Sequence, residues 1–453
     1  MQCNDAIYIP TTHCDDCSSF EAQLDKIEEE LKGKQDKLTA GDHIHIDDNT
    51  ISADALKYTK DYSDHNGVVQ NDVANNKATG DYSNASGIET TASGEGSHAE
   101  GHQTEANGHY SHAEGTETSI DEFSTASHAE GHGTVIESGY ASHVEGWGTK
   151  ATHTGSHAEG EDTLADGHGS HAEGIGTQAL ANSSHSEGAH TVAAGQSSHA
   201  EGSDSKVESG GSNGHAEGYN TVVSGTSGHA EGSSTEVTST AGHAEGLETK
   251  STGRATHAEG EKTVASSSQS HAEGLNTTAS DIAAHSEGSG TKATAYASHA
   301  EGSGTTASGA NSHAEGAGSK ATNSQAHAEG AGTTASGANS HAEGSSTTSA
   351  GVNSHAEGTA TVANGVASHA GGIGTETNTD GQTAIGRYNS KGNLANYAFV
   401  VGNGTSDENR SNAFAVRWDG TIDLNGQHYA ILPLSITDVN GNTVTVNVLG
   451  YVS

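Results

Sequence analysis

A histidine-centred repeat occupies most of this 453-residue chain. Twenty histidines from His98 to His369 stand in variants of the frame Ser-His-Ala-Glu-Gly, and sixteen of the nineteen spacings between them are 14 residues. Glu follows nineteen of these histidines at the second position. Repetition of this length indicates stacked supersecondary units, because one such unit cannot bury its own face alone. The pattern therefore predicts a solenoid.

The composition excludes an ordinary globular core. The chain has 62 Gly, 2 Pro, 4% aromatic and 30% hydrophobic residues, too few large side chains to fill the interior that this length would normally require. Low hydrophobicity with a net charge of −41 is also typical of disordered chains. A disordered chain has no reason to keep a strict register, however, so the repeat favours an ordered stack of small residues.

One repeat contains two short segments that alternate with period two. Six residues after each of the twenty histidines stands Thr or Ser, and eight residues after it is usually Ala, Val or Ile, as at Thr104 and Ala106. Period-two alternation predicts β-strands, and the intervening glycines permit tight turns. Each coil is therefore predicted to hold two short strands. Parallel stacking at about 4.8 Å makes twenty coils a rod of about 95 Å in an all-β fold.

The coil Ser-x-Ala-x-Gly followed by Thr-x-Ala-x-Gly resembles the head repeats of trimeric autotransporter adhesins. The resemblance covers about residues 76 to 390 and implies a left-handed parallel β-roll in an intertwined homotrimer. This chain carries His and Glu where those heads carry Val and Ile. The segment Thr383-Ala384-Ile385-Gly386 restores an apolar residue at the Glu position.

Both flanks of the repeat resemble segments of bacteriophage tail fibres. The similar segments are Lys34 to Gly41 with Ile44, Ile46 and Ile51 to Ala53, and, after the repeat, Phe399 to Thr405, Arg410 to Phe414 and Trp418 to Gly420. The resemblance implies a receptor-binding appendage in the virion, attached through its N-terminus to a phage tail or baseplate protein.

Export and membrane signals were sought because they separate a phage protein from a bacterial surface adhesin. The first ten residues lack a secretory pattern, no 18-residue apolar span occurs, and no membrane anchor of alternating strands follows residue 383. We therefore expect a homotrimer made in the host cytoplasm, without a signal peptide, membrane insertion or a nucleic-acid partner. A trimeric bacterial adhesin is the alternative.

The sequence divides into five predicted segments. They are a virion-attachment segment at 1–19, a short trimeric coiled coil at 20–35, a β shaft at 36–75, the β-roll at 76–390 and a β-rich C-terminal tip at 391–453. The coiled coil rests on a heptad-like seam formed by Phe20, Leu24, Ile27 and Leu31. A single amphipathic helix packed on a neighbour is the alternative for this segment.

Two N-terminal groups are candidate metal ligands, and no other cofactor is expected. Cys3, His13, Cys14 and Cys17 match the residue types of a tetrahedral zinc site, although thiols serving attachment are the alternative. His43 and His45 would supply six imidazoles around a threefold axis, enough for an octahedral transition metal. In the alternative, Ile44 and Ile46 take the buried face and leave both histidines outside.

The His and Glu rows are predicted to lie at the trimer axis, because they occupy positions that are apolar in the adhesin heads. Hydrogen-bonded pairing should then raise the pKa of each His and lower that of each Glu. The alternative is that both rows face solvent. The predicted interface residues are His98, Glu100, His112, Glu114, His157, Glu159, His171, Glu173, His257, Glu259, His313, Glu315, His327, Glu329, His341, Glu343, His355 and Glu357.

Catalysis by these rows is not expected, since nineteen equivalent carboxylates cannot each be tuned for proton transfer. The chain is therefore predicted not to be an enzyme. A fibre-borne polysaccharide depolymerase is the alternative, using paired carboxylates outside the rows. The candidates for such a pair are Asp407, Glu408, Asp419 and Asp423.

Receptor binding is predicted for the C-terminal segment. Residues 383–453 hold seven of the 18 aromatic residues, which indicates a compact β-rich tip, with hairpin turns at Asn425-Gly426 and Asn440-Gly441. A polysaccharide or protein receptor on the host cell is expected to contact its aromatic side chains, although any one of them is more often a core residue. The candidate contact residues are Tyr388, Tyr397, Trp418 and Tyr429.

Overall fold

The computed structural model describes residues 75–392 and 394–452, together with Lys26 and the backbone of four earlier strands. Those strands are Ile44–Asp47, Thr50–Ala53, Tyr58–Lys60 and Val68–Gln70. The predicted seam Phe20, Leu24, Ile27 and Leu31 lies outside the described residues, as do Cys3, His13, Cys14, Cys17 and His43. His45 lies in the first of these strands, of which only the backbone is described.

The described repeats form a parallel β-solenoid of about 23 turns, which confirms the predicted all-β solenoid. Each coil has one long strand that begins at the repeat histidine and one short strand of two residues. Successive coils pair in parallel and in register, so that His98 lies beside His112 and Ala106 beside Ile120. Every side chain is thereby stacked on its equivalent in the next coil.

The long strands are Asn84–Ile88, His98–His102, His112–Thr116, His128–His132, His143–Trp147, His157–Glu161, His171–Ile175, His185–Ala189, His199–Ser203, His215–Tyr219, His229–Ser233, His243–Leu247, His257–Glu261, His271–Leu275, His285–Ser289, His299–Ser303, His313–Ala314, His327–Ala331, His341–Ser345, His355–Thr359, His369–Ile373 and Thr383–Arg387. The short strands are Lys77–Ala78, Thr91–Ala92, Glu105–Ala106, Ser119–Ile120, Val135–Ile136, Lys150–Ala151, Leu164–Ala165, Gln178–Ala179, Val192–Ala193, Lys206–Val207, Val222–Val223, Glu236–Val237, Lys250–Ser251, Val264–Ala265, Thr278–Ala279, Lys292–Ala293, Thr306–Ala307, Lys320–Ala321, Thr334–Ala335, Thr348–Ser349, Val362–Ala363 and Glu376–Thr377.

Four small side chains fill the interior of a typical coil. In the coil of His98 they are Ser97, Ala99, Thr104 and Ala106, each with at most 1% of its surface exposed. In some coils a larger residue fits because a neighbouring side chain is smaller than usual. Val223 and Val237 are accommodated because Gly228 replaces the usual Ser, and a Cβ at that glycine would lie 2.9 Å and 2.8 Å from their Cγ1 atoms.

The glycine that follows each Glu sets the distance between coils. Gly260, for example, has a φ of +112°, and an added Cβ would collide with the carbonyl oxygen of Gly274 in the next coil. Backbone therefore packs directly on backbone along this column, and no larger residue can take its place. Two further corners per coil have positive φ, as at Gly96 (61°) and Gln103 (57°). These corners are seven residues apart and divide the coil into two halves.

Beyond the roll, the long-strand sheet continues as an antiparallel sheet. Thr383–Arg387 pairs in parallel with Tyr397–Asn403, after which Asn412–Arg417, Ile422–Leu424, Gln427–Thr437 and Thr443–Tyr451 follow as antiparallel neighbours. A single 3₁₀ turn, Leu394–Asn396, precedes this sheet.

Both predicted Asn-Gly turns join strands of this sheet. At Asn425-Gly426 both residues have positive φ (47° and 78°), as a two-residue hairpin turn requires. The second turn is wider, and of its residues only Gly441 has a positive φ. There the Asp438 carboxylate accepts hydrogen bonds from the backbone N–H groups of Asn440 (2.9 Å) and Asn442 (2.8 Å).

Replacing one glycine of the inter-coil column should destabilise the roll. For Gly260→Ala we expect a loss of about 3 kcal/mol or more, because strained φ and a backbone collision coincide. Gly304→Asn is the matched control, since its corner is open and Asn occupies the equivalent positions 220 and 276 with positive φ. Thermal unfolding followed by circular dichroism measures both variants, and equal melting temperatures would contradict this account of the column.

Candidate interface at the histidine and glutamate rows

The repeat histidines and glutamates share one outward surface, here called the His–Glu face. Both side chains point away from the interior because the Ala between them points inward. From His98 to His369 the imidazole rings stack with centroids 4.6 to 5.0 Å apart. The structure thus brings together the rows that the sequence predicted, although a single chain leaves them about one-third exposed.

Each imidazole lies close to a carboxylate without a direct hydrogen bond to it. In most coils His Nε2 is 3.5 to 3.9 Å from Oε2 of the Glu in the same strand, as at His157 (3.5 Å) and His271 (3.9 Å). Some histidines also approach the Glu of the preceding coil, such as His369 with Glu357 at 3.3 Å. The Nε2 atoms from His112 to His369 are shielded from solvent, and none has a hydrogen-bond partner within the described chain.

The histidine pKa values of the single chain move opposite to the direction predicted for pairing in a trimer. Partial burial lowers the pKa of His157, and the neighbouring His171 lowers it further, although nearby Glu carboxylates oppose the change. Twelve histidines of the face show this lowered pKa. In the single chain, burial and the stacking of one histidine on the next outweigh the carboxylates for these twelve histidines, and the rise predicted for pairing in a trimer stays a prediction.

Two stacked glutamates, Glu201 and Glu343, have a raised pKa in the single chain, whereas that of Glu187 is lowered. A hydrogen bond to Glu187 raises the pKa of Glu201 to about 7, and the same contact lowers that of Glu187. Burial raises the pKa of Glu343, as do its hydrogen bonds to Glu329 and Glu357. Glu201 and Glu343 therefore hold a proton more readily than an isolated carboxyl, as expected where like charges lie one coil apart.

In the His–Glu face, two histidines of successive coils and the Glu of the first coil bring possible ligand atoms close to one another, as between His157 and His229. In the group His157, Glu159 and His171 these atoms lie within 4.8 Å. The two rings are parallel within 4° and 4.6 Å apart. An imidazole nitrogen binds a metal in the plane of its ring at about 2.1 Å, so one ion cannot satisfy two such rings. The geometry of one chain favours stacking over chelation.

The His–Glu face continues beyond the roll as an apolar surface. Strand pairing places Ile385 beside Val401, and Val401 beside Phe414, in line with the Glu row. Thr383 lies beside Phe399, in line with the His row. The apolar extension of the face, named here for its side chains, comprises Ile385, Phe399, Val401, Phe414, Val416, Ile422, Leu424, Tyr429, Ile431, Leu449 and Tyr451.

This extension is largely uncovered in the single chain. Phe399, Val401, Phe414 and Tyr429 are each partly exposed, and Ile431 is 67% exposed. From the sequence alone, only Ile385 could be placed in line with the His and Glu rows. Period-two alternation in the sequence marked the other residues of the extension as strand residues. Their alignment with the His and Glu rows depends on antiparallel register, which the alternation does not specify.

The four predicted receptor-contact residues lie in different environments. Tyr397 is 8% exposed, and its hydroxyl donates to Asp423 Oδ2 at 2.7 Å, so it belongs to the core rather than to a contact surface. Trp418 is 53% exposed. Tyr388 is partly exposed beneath the guanidinium of Arg410, 5.6 Å from its ring centroid. Tyr429 lies in the apolar extension.

The carboxylates considered for a depolymerase are engaged by neighbouring groups. Asp407 pairs with Arg410, and Glu408 accepts a hydrogen bond from Ser406. Asp419 accepts from the backbone and the hydroxyl of Thr421. Buried Asp423 contacts Tyr397, Arg417 (3.0 Å) and His428 (2.8 Å). These contacts join neighbouring strands or close turns.

No protein-family model matches the chain, and no curated protein matches it. Within the described residues, no helix is long and apolar enough to span a bilayer.

The stability of the roll should fall as the medium becomes acidic. Where folded histidines have a lowered pKa, the unfolded chain binds more protons, so their contribution is full above about pH 6.5 and is lost as pH falls through the folded value. Glu201 and Glu343 act in the opposite sense, since a raised pKa favours the protonated form; this contribution fades as pH rises through the folded pKa, which is about 7 for Glu201. Because two glutamates oppose twelve histidines, the histidines decide the direction of the pH dependence.

Melting temperatures measured by circular dichroism between pH 5 and 8 test this direction. Substituting His271, His285 and His299 together by Asn should flatten the pH dependence. His190→Asn is the control, because this histidine lies outside the face and is 67% exposed. A melting temperature that rises toward pH 5.5 would show that the His pKa values are raised instead.

Proposed function

We propose that the chain forms a homotrimeric, rod-shaped phage tail fibre or appendage that recognises the host-cell surface. The observation that carries the proposal is the continuity of the His–Glu face with its apolar extension. The resemblance of the repeat to trimeric adhesin heads, and of the flanks to phage fibres, supplies the stoichiometry and the virion context.

Exposed apolar surface supports assembly through the extension. Partly exposed Phe399, Phe414 and Tyr429 form one side of a continuous sheet, and contiguous apolar patches of this kind mark interaction sites on soluble proteins. A second copy is the natural occupant, because the same sheet continues into the His–Glu face over the length of the roll. The same packing between copies would therefore cover both the His–Glu face and its apolar extension.

Assembly would also supply hydrogen-bond partners to the His and Glu side chains of the face. Burying a polar atom is costly unless it is hydrogen-bonded. The shielded Nε2 atoms of the stacked histidines have no such bond within the described chain, while carboxylate oxygens lie only 3.5 to 3.9 Å away. In the proposed trimer, neighbouring copies supply partners to both rows.

The last hairpin gives independent support for assembly. Gln427–Thr437 and Thr443–Tyr451 extend as a two-stranded ribbon, and an isolated ribbon of this kind is marginal in water. On the side opposite Tyr429, paired aliphatic side chains are 37% to 60% exposed. They are Leu432, Leu434, Ile436, Val444, Val446 and Val448. Other copies of the hairpin would cover this side.

In this proposal the N-terminal segment attaches to a tail or baseplate protein, and the C-terminal sheet with Trp418 and Tyr388 faces the host receptor. A bacterial surface adhesin would use the same trimer, and the neighbouring genes distinguish the two settings. A depolymerase would release reducing sugar from host polysaccharide. An assay of that release tests the third candidate directly.

Sedimentation of the full chain tests the assembly. We expect three times the chain mass and no folded monomer, because the uncovered apolar surface would be exposed in a monomer. Ile422→Asp combined with Tyr429→Asp should abolish the trimer, since both carboxylates would be buried unpaired. Thr405→Asp, in an exposed loop outside the extension, is the control.

A stable folded monomer or a dimer would contradict the trimer. The host-recognition part is tested separately by adding purified protein to host cells before phage. Competition for the receptor should slow adsorption. Undiminished adsorption at saturating protein would contradict that part alone.

A further inference from the structure

Four exposed aromatic residues lie near the N-terminal end of the roll. Tyr82, Tyr110, Phe123 and Tyr140 are 72%, 60%, 69% and 56% exposed. Large exposed rings are unusual in a chain with only 4% aromatic residues, whose interior takes mostly Ala, Ser and Thr. No packing role within the chain accounts for them.

Backbone hydrogen bonds place two of these rings on one corner column. Gly96 N donates to Asp81 O and Tyr110 N to Glu95 O, each at 2.7 Å, so Tyr82, Gly96 and Tyr110 follow one another from coil to coil. The ring of Tyr110 lies over Gly96, and a Cβ there would be 2.9 Å from Cδ1 of that ring. The absence of a side chain at this glycine therefore leaves room for the ring.

The other two rings belong to the same corner. Tyr140 occupies the neighbouring column, since Ala141 N donates to Thr125 O and Ala126 N donates to His109 O. Phe123 lies in an enlarged turn just before Ser124, in the coil between Tyr110 and Tyr140. Trp147 is not part of this group, because it lies at the opposite end of its strand and contacts the His132 ring in a tilted arrangement, with centroids 4.9 Å apart.

Insertions in the repeat coincide with these rings. The step from His112 to His128 is 16 residues and contains Phe123, and the step from His128 to His143 is 15 residues and contains Tyr140. The third long step, from His199 to His215, adds no exposed ring of this kind on the corner. All three departures from the 14-residue period enlarge a coil at this corner, and two of the three carry an exposed ring.

We infer that Tyr82, Tyr110, Phe123 and Tyr140 form a binding ridge for a neutral or amino-sugar-containing polysaccharide. The apolar C–H faces of sugar rings pack against aromatic faces, and neighbouring polar groups bind the hydroxyls. Tyr110 and Glu95 illustrate the polar component, since the phenol donates to the carboxylate at 3.0 Å. The inference rests on the proposed function and names a ligand class for host recognition.

The acidic residues around the ridge and the exposed area of its four rings favour a neutral or amino-sugar-containing polysaccharide. Residues 78–149 contain twelve Asp or Glu and no Lys or Arg, so an anionic polysaccharide would be repelled. A protein partner typically buries about 800 Å² on each side. Four aromatic side chains of about 150 to 250 Å² each, all more than half exposed, offer a contact area of roughly 400 to 600 Å² along the roll. The ridge suits a linear chain of sugars.

Isothermal titration calorimetry on the full-length protein tests the inference with three probes. They are N-acetylglucosamine oligomers, glucosamine oligomers and alginate oligomers, which are neutral, cationic and anionic. We expect at least one of the first two to bind and alginate not to bind. Tyr110→Ala, Phe123→Ala and Tyr140→Ala should each weaken binding by about tenfold, and the triple variant should abolish it.

The variants are designed to keep the fold. Ala already occupies the corner with positive φ at 126 and 141, so Tyr110→Ala adds no new backbone strain. Tyr296→Ala is the matched control, because this tyrosine lies on the same corner, 53% exposed, far from the ridge. Tyr140→Phe should retain binding, since the aromatic face remains.

Several outcomes would overturn the ridge. They are no binding of either neutral or cationic oligomers, equal binding by the triple variant, or capture only of a protease-sensitive host component. Adsorption tests separate the ridge from the proposed function. Oligomer binding without any block of phage adsorption would leave the ridge standing and reject the appendage role. An equal block by the triple variant would leave that role standing and reject the ridge.

Discussion

Close backbone contact between successive coils is the constraint on which this structure depends. The glycine after each Glu lets one coil lie directly on the next, and any Cβ at that position would collide with the adjacent backbone. Coils held this close enclose a narrow interior that accepts mostly Ser, Ala and Thr, with Val or Ile in a few coils, in some cases beside a glycine such as Gly228. Each coil then gains its stability mainly from its two neighbours, as in other solenoids. The low aromatic content follows from the same geometry.

In-register stacking has an electrostatic consequence for the His–Glu face. Identical ionisable groups must lie one coil apart, so each histidine disfavours protonation of the next and each glutamate favours a shared proton. Burial lowers the pKa of His157 and the stacked His171 lowers it further, while the hydrogen bond to Glu187 in the preceding coil raises the pKa of Glu201. The charge of the face is therefore a collective property of the rows, and a pH change acts on the whole length of the roll.

The sequence was sufficient to predict what depends on local periodicity. The 14-residue period, the two strands in each coil and the inward Ala all follow from residue spacing, and Ile385 could be placed in the Glu row by counting. The pKa directions could not be predicted, because their sign depends on partial burial and on ring spacings of 4.6 to 5.0 Å. The burial of Tyr397 and the line from Ile385 through Val401 to Phe414 depend on antiparallel pairing, which local patterns do not specify. The turn at Asn425-Gly426 was predictable because its positive φ values limit the residue types.

The polar His–Glu rows and the apolar extension have different roles in the proposed assembly. A repeating His–Glu face is degenerate, since sliding one copy past another by a whole coil restores almost the same contacts. Three irregular steps, after His112, His128 and His199, interrupt this degeneracy without removing it. The apolar extension does not repeat, and burying apolar area supplies more association free energy than exchanging polar contacts with water. Phe399, Phe414 and Tyr429 would therefore fix the register of the three chains. The His–Glu rows would then align coil by coil from that end.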